Sequence, residues 1–337
     1  MKAFDRYLER RQTEWRRDHV ETEEEGKWSG HPYPWILPKD SWEENLWSGV
    51  RHGSNDSLPA YLEESRVQRH VCANNLKSSW VLCANLYFPF RFTAAGRDLL
   101  ASFLREYVDP GIESLEQLEL EYAECGDLHP SRLLGEEGGG RGANQTSPDL
   151  GILVNSGKGI VLIENKLTEH GFYQCSAWKH EGSRSRPGNP HPGRCDHPAE
   201  VSLDPSNQCH QSTWGRRYWE HLAPVVNRDI LAHLPRCPAA QHGYQLFRQQ
   251  ALAEGIASSG KYDLVVSAVA VDERNEALDS ALQRCGINGV REWGSIFDGK
   301  ARFAVFTHQQ WVAWVREQDA DENWSDWLLY VQDRYGL

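Results

Sequence analysis

Residues 148–166 read P-D-L-G-I-L-V-N-S-G-K-G-I-V-L-I-E-N-K. Residues 152–154 form a short apolar run, and residues 160–163 form a second, rich in β-branched side chains. Asn155, Ser156, Gly157, Lys158 and Gly159 between them are turn chemistry. Two apolar runs parted by a Gly-containing loop predict a β-hairpin. Both runs are continuously apolar, so the hairpin is expected to be buried on both faces, inside a sheet. Side chains at i and i+2 of a strand share a face, so Glu164 and Lys166 point one way and Asn165 the other. Antiparallel pairing brings Asp149 beside Glu164. Two carboxylates and an ammonium therefore meet at one end of an apolar ribbon.

Such a group suits a hard divalent cation. Mg²⁺, or Mn²⁺ in its place, takes a few carboxylate oxygens and keeps waters for substrate phosphates. Asp149 and Glu164 are the expected ligands, helped by the Asn165 backbone carbonyl. Lys166 is placed to orient or help deprotonate an attacking water and to neutralise charge at phosphorus. The ion would add Lewis-acid polarisation and an activated water. The competing reading is a surface hairpin whose charged ends are solvated.

The chain has 337 residues and a formal net charge of −12, enough length for one large core or two smaller ones. Its acidity argues against general nucleic-acid coating and against binding an anionic membrane surface. It leaves room for a nuclease, because a carboxylate metal site needs only local positive charge around it. No run approaches the roughly 20 apolar residues of a membrane span, and the first residues lack a signal-peptide apolar region. A cytoplasmic location is expected. The eight cysteines then read as thiols or metal ligands rather than disulfides. Fourteen Trp against one Met point to large, rigid core residues.

Upstream of the hairpin, residues 1–25 predict an exposed helix with Phe4, Leu8 and Trp15 on one face. Residues 26–60 are Pro-, Gly- and Trp-rich and are expected to wrap the core irregularly through Trp28, Trp35, Trp42 and Trp47. Residues 70–92 predict a buried helix ending before Pro89. Thr93 is the expected cap of a helix carrying Leu99, Leu100, Phe103 and Leu104. From Leu118 onward, residues 118–122 alternate as a strand, which makes Glu121 a candidate further carboxylate at the metal site. Residues 135–147 are a Gly-rich loop, expected to be flexible, without the Lys-Ser/Thr ending of a nucleotide cradle.

Downstream, four of the eight cysteines (Cys175, Cys195, Cys209 and Cys237) and eight of the fourteen histidines fall within residues 170–242. The middle of this segment is too rich in Pro, Gly and Ser to build a core alone. Thiolate and imidazole suit a structural Zn²⁺, although the spacings are not the close pairs of a zinc ribbon. Buried thiols and loop histidines are the competing reading. Arg184, Arg186, Arg194, Arg216, Arg217, Arg228 and Arg236 make the same segment locally basic, as a surface tracking a phosphate backbone would be. A helix over 241–258 follows, with Gln245 and Arg248 on a common side. A central strand over 262–271, a helix over 273–284 and a strand over 302–307 come next. Thr307 then caps a helix, and a last helix covers 324–334. Strand, hairpin, helix and strand in this order predict an α/β fold with a mixed central sheet.

Several blocks together resemble the PD-(D/E)XK nuclease superfamily, in a bacterial restriction-endonuclease-like branch. They are Ser78-Ser79 with Leu82-Cys83 and Asn85-Leu86, then Leu120-Glu121-Tyr122, Asp149, Ile163-Glu164-Asn165-Lys166, and Tyr244-Gln245-Leu246 with Arg248-Gln249. The resemblance implies a restriction-endonuclease-like mixed sheet flanked by helices. On this reading residues 1–94 are a helical, Trp-rich extension and 95–318 the nuclease domain, with the Cys/His-rich insertion at 170–242. Residues 319–337 would be a helix packed on the core. By similarity Glu121 is the upstream acidic residue, Asp149 and Glu164 are the metal carboxylates, Lys166 is the catalytic lysine and Gln245 is the polar residue of the following helix. Iron–sulfur ligation by the four cysteines, found in some superfamily relatives, is the alternative to zinc. The implied activity is Mg²⁺-dependent hydrolysis of DNA, with a defence role by analogy. The residues do not separate DNA from RNA, nor a monomer from a homodimer making paired cuts. The rival reading is an inactive nuclease-fold interaction module stabilised by a structural metal.

Overall fold

The two apolar runs form the middle of a five-stranded sheet. The computed structural model describes residues 3–52 and 56–337; the predicted features at 1–2 and 53–55 lie outside the described residues. The strands are β1 (Leu115–Leu120), β2 (Leu150–Val154), β3 (Gly159–Lys166), β4 (Leu264–Val271) and β5 (Arg302–Thr307), in the spatial order β1-β2-β3-β4-β5. The β1–β2 and β2–β3 pairs are antiparallel, while β3–β4 and β4–β5 are parallel. The hairpin turn uses left-handed backbone at Asn155, Ser156 and Gly157, which its residue types tolerate. Every residue of β3 is buried, as its unbroken apolar run requires of a central strand.

The sheet has a core on each face. One face carries Leu120, Leu150, Ile163 and Ala268 against α1 (Ala3–His19), α2 (Ser79–Tyr87), α3 (Ala94–Tyr107), α6 (His308–Gln318) and α7 (Ser325–Tyr335). The other carries Ile160, Leu162, Val265 and Val269 against α4 (Tyr244–Ser259), α5 (Ala277–Gln283) and the long crossover from β3 to β4. The tryptophans join distant parts of the first core. Phe90 stacks on Trp324 at 3.8 Å between centroids. The Trp311 and Trp327 indoles donate to the carbonyls of Leu86 at 3.0 Å and Asn85 at 2.8 Å, the usual arrangement for a buried indole.

Several predicted elements shift. Residues 70–78 are turns rather than helix, because Asn74 and Asn75 serve as anchors. The Asn74 amide donates to Leu37 O at 2.6 Å, and Asn45 donates to the carbonyls of Ala73 and Asn75. The helix starts at Ser79 behind its Ser78 cap and ends at Tyr87, before Pro89 as predicted, with a 3₁₀ turn, Phe88–Arg91, following it. β1 begins at Leu115, not Leu118. The N-terminal helix is less exposed than its charges suggested: Arg16 is buried and donates to the carbonyls of Pro34, Thr22 and Glu24. Trp28 is 56 % exposed and does not pack. The caps at Thr93 and Thr307 form as predicted, the latter as a full capping box with Gln310.

Candidate active site

Strand register places the acidic residues. Leu120 pairs with Leu150, and Leu150 with Ile163. One residue further along, the Glu121 N–H donates to Asp149 O at 3.0 Å, and Asp149 stands opposite Glu164. Side chains in register across a sheet share a face. Asp149 and Glu164 therefore share the face that α4 covers, and Glu121, past the end of β1 and beside Trp80 of α2, completes a row across the ends of three strands. Glu164 and Lys166 share that face, and the Lys166 ammonium bonds the Glu164 carboxylate. Asn165 turns to the other face, where its amide donates to Ser79 O at 2.7 Å. Its backbone N–H donates to Asp149 Oδ2 at 2.7 Å, tying the first carboxylate to the strand that carries the second.

Glu121 lies just past β1 with φ of +48°, a conformation that costs a residue other than Gly or Asn about 1 kcal/mol or more. Tyr61 and Arg141 hold it there. The Leu120 N–H donates to Tyr61 Oη at 3.0 Å, and Arg141 donates to the carbonyls of Leu120 and Glu121, to Tyr61 and to Glu119. Arg141 and Tyr61 were not singled out from the sequence. Arg141 sits in a Gly-rich loop with no periodic signal. That loop is also better anchored than its composition predicts, because buried Glu136 accepts from Thr146, Tyr218 and Arg248. His308 was missed as well. It is fully buried beside Tyr87, with its Nε2 3.1 Å from Lys166 O, and burial lowers its pKa.

The row is crowded with charge. Burial, and then the Glu164 carboxylate, push the Asp149 pKa up to about 8. Burial, Asp149 and Glu164 raise Glu121 well above the usual carboxylate range, against the pull of Trp80 and Arg141. Burial works against the Lys166 ammonium, but Glu164, Glu169 and Asp149 outweigh it and raise its pKa. Carboxyls so placed call for either a proton or a cation. No three Asp, Glu, His or Cys side chains among the described residues close around a single ion. Mg²⁺ does not require that, since it is commonly held by one or two carboxylates with waters completing its shell. Asp149 and Glu164 fit this demand.

Access is narrow. Glu121 and Glu164 are each 7 % exposed and Lys166 3 %, while Asp149 is half-buried. His70, Glu169 and Tyr173 lie close enough to Lys166 to feel its charge, and its ammonium stands 5.9 Å from the Phe172 ring. Gln245 begins the second position of α4. Its N–H donates to Phe172 O at 2.8 Å, and its side-chain oxygen is buried with no partner. No hydrogen bond joins it to the carboxylate row.

One family model, described as Restriction Endonuclease associating with ARP, matches residues 9–336. The chain belongs to that family. No curated protein and no solved structure is matched by the chain. The family description points to a nuclease or defence-related role, and the mixed α/β sheet agrees with it. No helix is long and apolar enough to cross a membrane among the described residues.

Within this family member a second polar cleft opens beside the loop that runs into Asp149. It is lined by Arg186, Arg216, Arg248, Gln145, Tyr218 and Tyr244, with Glu136 and Glu137. The predicted basic stripe is only partly free: Arg236 pairs with Asp196, Arg217 with Glu220, and Arg186 and Arg216 with Glu137. Arg184 and Arg228 are exposed. The four cysteines of the insertion come together in the second core. The Cys237 N–H donates to Cys195 O at 2.6 Å and the Cys175 N–H to Ala239 O at 2.7 Å. Gln211, two residues beyond Cys209, donates its amide to Cys175 Sγ at 3.1 Å.

Proposed function

We propose that the chain is a divalent-metal-dependent nuclease that hydrolyses phosphodiester bonds of DNA, in the restriction or defence setting its family description suggests. The observation that carries this reading is the row Glu121–Asp149–Glu164, with Lys166 bonded to its last member. Asp149 and Glu164, with the Asn165 carbonyl beside them, would hold Mg²⁺ or Mn²⁺, and Glu121 stands as a further carboxylate. When bound, the ion supplies Lewis-acid polarisation and a water of lowered pKa. Lys166 keeps its proton under the influence of its carboxylate neighbours. Its role is therefore to orient the attacking water and offset charge on the phosphoryl oxygens, rather than to accept a proton. Arg186, Arg216 and Arg248 line one cleft, where a phosphate backbone would compete with Glu136 and Glu137 for their guanidinium groups.

The near-closed row favours a second reading, an inactive nuclease-fold module that docks protein or nucleic acid. Cleavage separates the two. With Mg²⁺ or Mn²⁺ and plasmid DNA, wild type is expected to cut and Lys166→Ala to lose at least about 100-fold in rate, while keeping its circular dichroism, with a lowered melting temperature because buried Glu164 loses its partner. Equal turnover by both proteins would reject Lys166. A wild type that is inert on DNA and RNA under both metals would leave the docking module.

A further inference from the structure

The cleft beside the loop that runs into Asp149 has a volume of about 460 Å³, within the range that holds a small ligand. Two of its arginines are already aimed at one point. Arg186 and Arg216 donate to the same oxygen, Glu137 Oε1, at 3.0 and 3.5 Å. Neither guanidinium is loose. Arg186 lies over the Trp214 ring, 5.0 Å from its centroid, and Arg216 donates to Gly135 O at 2.5 Å. The Arg216 side chain is 9 % exposed, whereas that of Glu137 is 69 % exposed. The carboxylate is therefore the member of the trio that can swing into solvent. An exposed ion pair of this kind contributes little, and a phosphate offers two guanidiniums more oxygens than the single one they now share.

A second feature asks for more than an inorganic anion. Gln145 lines the same cleft and is 8 % exposed, and its amide nitrogen and oxygen both lack a partner among the described residues. A buried amide left open at both ends costs stability. A group that presents an acceptor and a donor side by side satisfies it, as the edge of a nucleobase does; Gln pairs in this way with adenine. The cleft also has a flat wall. The Arg248 guanidinium lies over the Tyr244 ring, 5.4 Å from its centroid, and buried Glu136 holds this wall by accepting from Arg248 and from Tyr218. Bases stack on aromatic rings and on guanidinium planes.

We propose that this cleft binds one nucleotide, with its phosphate on Arg186 and Arg216 in place of Glu137 and its base edge on Gln145. Glu137 is then an internal competitor that keeps the two guanidiniums paired until a phosphate arrives. The nucleotide is either free or one unit of a nucleic-acid strand, since both present the same phosphate and base. Binding here rests on the reading of this cleft as a phosphate surface, and not on catalysis at the carboxylate row.

The test is calorimetric titration of the full chain with the four deoxynucleoside 5′-monophosphates, in the presence of EDTA so that no metal-dependent step intrudes. The expected result is saturable one-to-one binding, tightest for the adenine nucleotide, with deoxyadenosine and inorganic phosphate each at least about 10-fold weaker. Arg186→Ala is expected to weaken the nucleotide and inorganic phosphate alike, and Glu137→Ala to tighten both. Gln145→Leu should weaken the nucleotide and leave inorganic phosphate unchanged, a split that damage to the fold would not give. A 5′-phosphorylated single strand that displaces the nucleotide would assign the site to nucleic acid, and one that does not would assign it to the free nucleotide. Failure of all four nucleotides to bind, or binding no tighter than inorganic phosphate, would overturn the proposal. So would unchanged nucleotide affinity in Gln145→Leu. Neither result would touch Mn²⁺ binding or cleavage at the carboxylate row, which are measured separately.

Discussion

Asp149 holds a proton in the folded, metal-free chain up to about pH 8, whereas an unfolded Asp loses it near 3.8. Between those values the folded state binds more protons than the unfolded one, so stability falls as pH rises. The stabilising contribution is whole below the lower value and gone above the upper. Thermal melts of metal-free wild type should therefore show a falling melting temperature across that window, and Asp149→Asn should flatten the fall. An unchanged slope in Asp149→Asn would mean that its carboxyl does not carry the extra proton. Glu121 makes a related prediction. Asn tolerates φ of +48° better than Glu and removes one buried charge from the row. Glu121→Asn is expected to stabilise the metal-free protein by about 1 kcal/mol or more while weakening any metal-dependent cleavage. Urea unfolding and a cleavage assay on the same preparation measure both.

Among the elements, the β2–β3 hairpin was fully legible, because an apolar run, a Gly turn and a second apolar run leave few alternatives. The three charged residues at its end could be placed by strand periodicity alone. Glu121 needed more. Alternation predicts a strand there, but not the left-handed turn at Glu121 that ends β1, nor Arg141 and Tyr61, which hold that turn through contacts with distant segments. The Asn74–Asn75 turn was misread as helix because its hydrogen bonds go to residues some 30 positions away. Gly151 shows how tightly β2 is packed. A Cβ there would stand 2.2 Å from Cγ of the Tyr122 side chain, which packs over this glycine. Gly151→Ala should destabilise by about 1–3 kcal/mol through overpacking, measured as a lower urea midpoint with unchanged slope. A neutral Gly151→Ala would mean that the ring is free to move aside.

For the whole molecule, the sheet has a division of labour. One face is a core of aromatic and aliphatic side chains that binds the N-terminal segment, α3, α6 and α7 together. The other combines a smaller core with the carboxylate row, the arginine-lined cleft and the cysteine cluster. The candidate groups thus lie on the face closed by the least regular part of the chain, where the composition is rich in Cys and His but no local pattern tells which cysteines meet. His70, Glu169, Phe172 and Tyr173 stand near Lys166, so on the proposed reading a substrate would have to shift them. Tyr173 is 66 % exposed with φ of +56°, and it is the residue whose surroundings should change first.

Everything proposed for activity requires the carboxylate row to take a divalent ion. Titration of Mn²⁺ into metal-free protein above pH 8, where Asp149 has released its proton, and followed by the loss of free Mn²⁺ signal in electron paramagnetic resonance, addresses this without any assumption about substrate. Wild type should bind Mn²⁺ stoichiometrically, with Mg²⁺ competing, and Asp149→Ala and Glu164→Ala should each lose that binding while remaining folded. Mn²⁺ binding of equal strength in all three proteins, or none in wild type, would contradict it.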